Sequence, residues 1–324
     1  MGSVNTPDRI ISPSNSAQTR RALSCGELKF RVGPFVARIG TGYPLLQQDF
    51  LDIYDGYPLA GPDDFVQFNL KVDPVSLLRR WYRPKVMADG GFVNSPFVPL
   101  PGDLAILALE MGLNWQVGTK SDQFLIFHSG VVARDPEPAG QGEAGISRAV
   151  LMAGQSGAGK STLTAGLAYN GWRLFSDEFA LLDTDSLMLY PYPRPISLKN
   201  ESVDLMVERL GADAFSRPFL NTPKGTIRYL KAPAGSLISG LRPAKLDLVV
   251  FPQYGPGVPP QVAEFAGAEA FAMLRSATVN CDRLGLDAFN AIADLVEHCR
   301  FFRLQYDSLD MAMQMVDDLM EKTA

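Results

Sequence analysis

The sequence predicts an α/β protein in two parts, a smaller α/β domain followed by a larger one. Three observations lead there. An apolar run, "AVLMA", is followed by a glycine-rich turn and a helical run, "STLTAGLAYN". After it, strand-like and helix-like patterns alternate: "KLDLVVFPQY", "EAFAMLRSA", "DAFNAIADLVEHC", "RFFRLQY", "LDMAMQMVDDLMEK". That alternation is the signature of an α/β fold. Ahead of the apolar run lies a separate stretch with strand and helix periods of its own.

Length and composition agree with this. A chain of 324 residues admits one large domain or two ordinary ones. With 46% hydrophobic and 20% charged residues it can build a substantial core. The net charge is −5 and no block of basic residues occurs, so no nucleic-acid partner is expected. Cys25, Cys281 and Cys299 are odd in number and far apart. They suggest neither a disulfide framework nor a zinc site, and they suit a reducing cytoplasm. No apolar run reaches the roughly 18 to 20 residues that span a bilayer, so no membrane partner is expected.

Residues 1–26, rich in Ser, Asn, Thr and Arg, read as a flexible lead-in. Residues 27–115 read as the N-terminal α/β domain. In it, "ELKFRVGPFVARIG" alternates about a Gly-Pro turn as a hairpin would. Leu46, Phe50, Ile53 and Tyr54 recur at helical spacing. "DFVQFNLKV" is a second alternating strand, and "LAILALEMGLNW" a helix. The larger domain, 116–324, begins with the strand "QFLIFHSGVVAR", a Pro/Gly-rich loop "DPEPAGQGEAG" and a returning strand "SRAVLMAG". Beyond residue 183 come a helix near 200–210 and a loop, "RPFLNTPKGTIRYLKAP".

Gly154 to Ser161, "GQSGAGKS", satisfies G-x-x-x-x-G-K-[ST] in full. Gly154, Gly157 and Gly159 allow the turn that points main-chain N–H groups at phosphate oxygens, with Gln155, Ser156 and Ala158 between them. Lys160 can reach the β and γ phosphates, Ser161 can ligate Mg²⁺, and Thr162 continues the helix whose positive end faces the phosphates. The motif points to a nucleoside triphosphate with Mg²⁺.

Seventeen residues beyond Lys160 stand Asp177 and Glu178, at the carboxyl end of the short strand "WRLF". Ligands of open α/β sheets bind at such ends. Neighbouring strand residues point to different sides, so one carboxylate can ligate Mg²⁺ and the other can accept a proton from an attacking hydroxyl. His128, ending "FLIF", is placed to tune a nearby carboxylate. His298 reads as structural. For added positive charge, Arg194 between two prolines ranks first, ahead of Lys199, Lys224, Arg228 and Lys231. Lys224-Gly225 would suit a mobile lid.

The order His128-Ser-Gly, "GQSGAGKS", "FSDEF" resembles HPr kinase/phosphorylase in sequence and spacing. Across roughly residues 30 to 320 the chain resembles the HprK-related kinase A group, through "VGPFVAR", "LRRWYRP", "LPGDLAILALEMGLNW", "PRPISLKN" and "KGTIRYLKAP". The resemblance implies the variant phosphate-loop core shared by HPr kinase and phosphoenolpyruvate carboxykinase, with ATP and Mg²⁺ as cofactors. It implies Asp177 as the base that deprotonates the acceptor, His128 as its support, and a homo-oligomer. Glu178 stands where that family has Asp, and Thr162 where it usually has Glu. The expectation is a kinase that transfers the γ-phosphate to a hydroxyl, serine in a protein or peptide. Catalytic roles fall to Asp177, His128, Lys160 and Arg194, and metal contacts to Ser161, Glu178 and Asp177. The alternatives are a small-molecule kinase and a nucleotide-sensing ATPase adaptor.

Overall fold

The computed structural model describes residues 10–91, 96–136, 145–238 and 241–322. Its elements begin with α1 (Ser16–Cys25), β1 (Leu28–Val32), β2 (Phe35–Gly40), α2 (Pro44–Ile53), β3 (Phe68–Pro74), α3 (Leu78–Trp81), β4 (Lys85–Asp89), β5 (Leu100–Pro101) and α4 (Ala105–Lys120). They continue as β6 (Leu125–His128), β7 (Gly130–Arg134), β8 (Ser147–Met152), α5 (Lys160–Tyr169), β9 (Arg173–Ser176), β10 (Phe179–Leu182), β11 (Met188–Tyr190), β12 (Ile196–Lys199), α6 (Glu201–Leu210), β13 (Phe219–Thr222) and β14 (Gly225–Leu230). The remainder is α7 (Ala234–Ile238), β15 (Ala244–Tyr254), β16 (Gln261–Phe265), α8 (Gly267–Ser276), α9 (Cys281–Leu284), α10 (Leu286–His298), β17 (Arg300–Tyr306) and α11 (Leu309–Glu321). Among the described residues no helix is long and apolar enough to cross a membrane.

The chain groups into two compact units. One comprises Met1–Lys120, Lys199–Val203 and Leu210–Lys231; the other comprises Ser121–Leu198, Asp204–Arg209 and Ala232–Ala324.

In the first unit a five-stranded sheet runs β1-β2-β3-β4-β5, antiparallel except for the parallel β2–β3 pair. The helix α2 lies between those two strands in sequence and buries Leu46, Phe50 and Ile53. Phe30, Phe50 and Tyr54 meet at ring distances of 4.7 to 5.4 Å in the core. Gly112 lets α4 lie close on the sheet, since a Cβ there would meet Leu70 Cδ1 at 2.7 Å. Asp49 is buried, and Arg217 grips it with two hydrogen bonds of 2.8 Å while also donating to the Asp103 carbonyl. Burial pushes the Asp49 carboxyl up, and Arg217 opposes this without cancelling it.

Two expectations for this unit are corrected. Residues 16–25 are a helix, not a flexible lead. Its two buried side chains, Thr19 and Leu23, sit four apart, and Gly26 closes it with φ 72° and a Schellman pair of bonds, Glu27 to Ala22 and Gly26 to Leu23. A polar composition concealed a helix that needs only one narrow buried stripe. The "loop" through residue 230 contains the antiparallel pair β13–β14, turned at Pro223-Lys224 with Gly225 at φ 85°.

In the second unit a nine-stranded sheet follows the order β6-β10-β11-β15-β8-β7-β9, with β17 also on β15 and β16 on β17. The strands β8, β15 and β17 are mutually parallel, and all are rich in buried aliphatic or aromatic residues, as strands covered on both faces must be. Alternate residues divide the two faces. Val131, Leu151, Phe175 and Phe301 pack with Leu274 of α8 and Ile292 and Leu295 of α10. Met152 takes the opposite face, beneath Thr164 of α5. Gly166 brings α5 against α11, where a Cβ would meet Leu309 and Met313 at 2.9 Å.

The segment "QFLIFHSGVVAR", expected to be one strand, is two. β6 pairs with β10 and β7 pairs with β8 and β9, the break falling at buried Ser129. The loop "DPEPAGQGEAG" lies largely outside the described residues.

Candidate functional site

The strand β8 is held by β15 on one edge and β7 on the other, so the chain leaving Ala153 starts from a fixed point. The turn that follows uses three left-handed glycines, Gly154 (φ 135°), Gly157 (φ 86°) and Gly159 (φ 98°). Side chains rarely tolerate these angles, which accounts for glycine at each place. Gln155, Ser156 and Gly157 are exposed, and Ala158 and Gly159 are half-buried. Lys160 begins α5 and is nearly buried. Its Nζ folds back over the turn, donating to the carbonyls of Gly154 (2.7 Å) and Gln155 (3.0 Å). Ser161 and Thr162 sit half-buried in the first turn of the helix, whose N-terminal N–H groups and dipole present positive charge.

The acidic pair occupies the corner between β9 and β10. Ser176 Oγ accepts from the N–H groups of Glu178 (3.2 Å) and Phe179 (2.9 Å), and this local turn separates the two acids. Asp177 is buried, 8% exposed, and its Oδ2 accepts from the Ser197 N–H at 3.2 Å. Glu178 is half-exposed, and its Oε1 lies 3.6 Å from Nδ1 of His128. The main chain of the two corners is joined, since Ser129 N–H donates to the Glu178 carbonyl at 3.2 Å. His128 N–H donates to Ala277 at 2.7 Å, and its ring stands edge-on to Phe179. This geometry places the His128 ring beside the second acid, Glu178.

Register brings these parts to one edge of the sheet. β7 is antiparallel to both β8 and β9, so those two run the same way. Gly130 is opposite Met152, and Val131 is opposite Ser176. The glycine-rich turn leaves just after Met152 and Asp177 follows Ser176, two strand spacings away, about 10 Å. His128 enters the same row from the other side of Ser129.

Arg194 is buried too. Its Nη1 donates to the Tyr192 hydroxyl at 3.3 Å, and its guanidinium carbon lies 5.6 Å from that ring. Tyr192 N–H is anchored on the Phe175 carbonyl of β9. Arg194 thus precedes by three residues the N–H that contacts Asp177. Of the other cations, Lys199, Lys224, Arg228 and Lys231 group with the first unit. There Arg228 donates to the Ser216 carbonyl at 2.7 Å, and Lys231 pairs with Asp52 at 2.7 Å. His298 caps back onto the Asp294 carbonyl.

Several participants left no sequence signal. The Ser197 contact is made by the main chain. Tyr306, at the end of β17, lies under the glycine-rich turn, and any Cβ on Gly159 would collide with its hydroxyl. Ser176 is of a residue type that favours such turns. Among the described residues no cluster of three or more His, Cys, Asp or Glu is arranged to hold a metal ion. A divalent ion here would take most of its ligands from phosphate oxygens and water, as Mg²⁺ commonly does.

No protein-family model matches the chain, and no curated protein sequence matches it. Among solved structures, the chain is similar to the Hpr(Ser) kinase/phosphatase from Coxiella burnetii, with 13% identity. The match covers 61% of this chain and 98% of that one, with a TM-score of 0.28. The relation is a distant structural one.

Proposed function

We propose that the chain is an ATP- and Mg²⁺-dependent phosphotransferase that moves the γ-phosphate to a hydroxyl, serine in a protein or peptide. The observation that carries this reading is the shared sheet edge. There, register sets the Gly154–Ser161 turn and buried Asp177 about two strand spacings apart. That is a span an acceptor hydroxyl and a γ-phosphate can fill.

In this reading the acceptor oxygen attacks the γ-phosphorus in line. Its proton passes to the Asp177 carboxylate as the new P–O bond forms, and the bond to the β-phosphate oxygen breaks to release ADP. The N–H at Ser197 holds Asp177 in place for this. Lys160 leaves the two carbonyls it now caps and follows the β and γ oxygens. Arg194, buried and oriented by Tyr192, adds positive charge for the moving phosphoryl group. Mg²⁺ bound with the nucleotide would neutralise phosphate charge, with Ser161 and Glu178 as the residues to hold it and Asp177 within the same corner. His128, 3.6 Å from Glu178, orients that second acid.

The test is transfer of label from γ-labelled ATP with Mg²⁺ into a lysate of the source cells, separated into macromolecules, small molecules and free phosphate. Label that enters macromolecules with the wild type and not with Asp177→Asn supports a protein or peptide kinase. Label in small molecules redirects the reading to a metabolite kinase. Free phosphate alone, unchanged in the variant, overturns it in favour of an ATPase.

A further inference from the structure

We propose that the ring of Tyr254 is a stacking face for a nucleobase, so that the site grips a nucleoside triphosphate by its base as well as by its phosphates. This rests on the nucleotide reading above.

The first argument is position. β15 lies beside β8 and parallel to it, with Val250 opposite Met152, and continues four residues further to Tyr254. On its other edge β17 is also parallel and ends in register, Tyr306 opposite Tyr254. The space beyond the carboxyl ends of adjacent parallel strands is where open α/β sheets hold ligands.

The second is attachment. Tyr254 N–H donates to the carbonyl of Ala158, inside the glycine-rich turn, at 3.3 Å. Gly255 N–H donates to the Tyr306 carbonyl at 3.1 Å. The end of β15 is therefore tied by main chain both to the turn that would cradle phosphates and to its neighbouring strand. A base carried on those phosphates through a ribose would emerge beside a ring whose backbone is fixed.

The third is the contrast between two tyrosines. Tyr306 is 2% exposed, whereas Tyr254 is 50% exposed. Their ring centres are 6.1 Å apart and tilted by 48°, so Tyr306 supports Tyr254 from within and leaves it open to solvent. The Tyr306 hydroxyl is buried with no hydrogen-bond partner among the described residues, and it rests against Gly159. Burial, with Tyr254 beside it, pushes that phenol up and keeps it protonated. A buried hydroxyl without a partner carries a cost. Here it fills the space under the turn and props the Tyr254 ring, a positioning role. The exposed aromatic face offers what every base can use, a π surface, and stacking of this kind tolerates adenine and guanine alike.

The test is calorimetric titration with two probes, ATP and inorganic triphosphate, each with Mg²⁺, on wild type, Tyr254→Ala, Tyr254→Phe and Lys160→Ala. The expected result is that Tyr254→Ala weakens ATP about tenfold and leaves triphosphate unchanged, while Tyr254→Phe keeps wild-type affinity for both. Equal loss for both probes in Tyr254→Ala, or no loss for either, overturns the base site while leaving the phosphate site standing. Wild type that binds neither probe, or Lys160→Ala that binds both like wild type, overturns the nucleotide reading and this inference with it.

Discussion

Gly130 and Thr164 leave no room for a methyl group between them: a Cβ on Gly130 would collide with the Thr164 hydroxyl and lie 3.3 Å from its Cβ. Thr164 is buried, and its hydroxyl is committed to the Lys160 carbonyl at 2.9 Å. This contact seats α5, which begins with Lys160, on the strand that follows His128. Gly130→Ala should therefore destabilise the protein by about 1 to 3 kcal/mol, the range for overpacking a filled core. Adding Thr164→Ala should recover much of that loss. Thermal unfolding of the two single variants and the double variant reads the coupling. A Gly130→Ala midpoint equal to wild type would contradict a tight Gly130–Thr164 contact.

Asp135 and Arg173 make the second unit sensitive to acid. The Arg173 side chain is 4% exposed, and Asp135 Oδ1 lies 2.9 Å from it. Burial pushes the Asp135 carboxyl up, but the Ser147 hydroxyl, Arg173 and Arg242 together hold it below the usual carboxylate value. A lowered folded-state value means stability that is present above the unfolded pKa and lost as pH falls through the folded one. Asp135→Asn should cost roughly 1 to 3 kcal/mol at pH 7, because a nearly buried guanidinium loses its charge partner. The difference from wild type should shrink below about pH 4, where the Asp135 carboxyl of the unfolded wild-type chain begins to take up protons. Denaturant midpoints measured from pH 3 to pH 7 test this, and a pH-independent difference would contradict it.

Asp49 and Arg217 carry the opposite sign. Burial holds the Asp49 carboxyl above its usual value despite the bidentate Arg217. Its ionisation therefore opposes folding, and stability linked to it is greatest below the unfolded pKa and falls as pH rises through the folded one. Arg217→Ala removes the compensating charge and should cost roughly 2 to 4 kcal/mol near pH 7, less at pH 4. Arg217→Ala with Asp49→Asn should be more stable at pH 7 than Arg217→Ala alone. If the deficit of Arg217→Ala were the same at both pH values, the loss would be one of packing rather than charge.

What could be read from the sequence, and what could not, divides by distance along the chain. The turn at 154–161 is legible because its demands are local: three left-handed glycines, a preceding apolar strand and a lysine at the helix start. The acidic corner is legible for the same reason, since Ser176 caps the turn it belongs to. The break at Ser129 is not, because it arises when His128 and Gly130 pair with strands from two different later segments, at Phe179 and at Met152. No residue pattern announces a main-chain donor such as Ser197 N–H. Nor does one announce a hydroxyl such as that of Tyr306, which reaches Gly159 only once β17 has joined β15. The helix α1 escaped for another reason, since its burial depends on Thr19 and Leu23 alone.

The place of β15 in the sheet has a consequence for how the protein is made. β7, β8 and β9 lie close in sequence, but the second neighbour of β8 is β15, where Leu248 stands opposite Val150. A ribosome adding about 5 to 20 residues per second takes roughly 5 to 20 s to make the chain between them. Throughout that interval β8 has one edge without its partner, a template for pairing with other chains. Polypeptides released between β11 and β15 would keep that edge open for good, and aggregation of such fragments is the expected cost of building the glycine-rich turn on a strand completed so late.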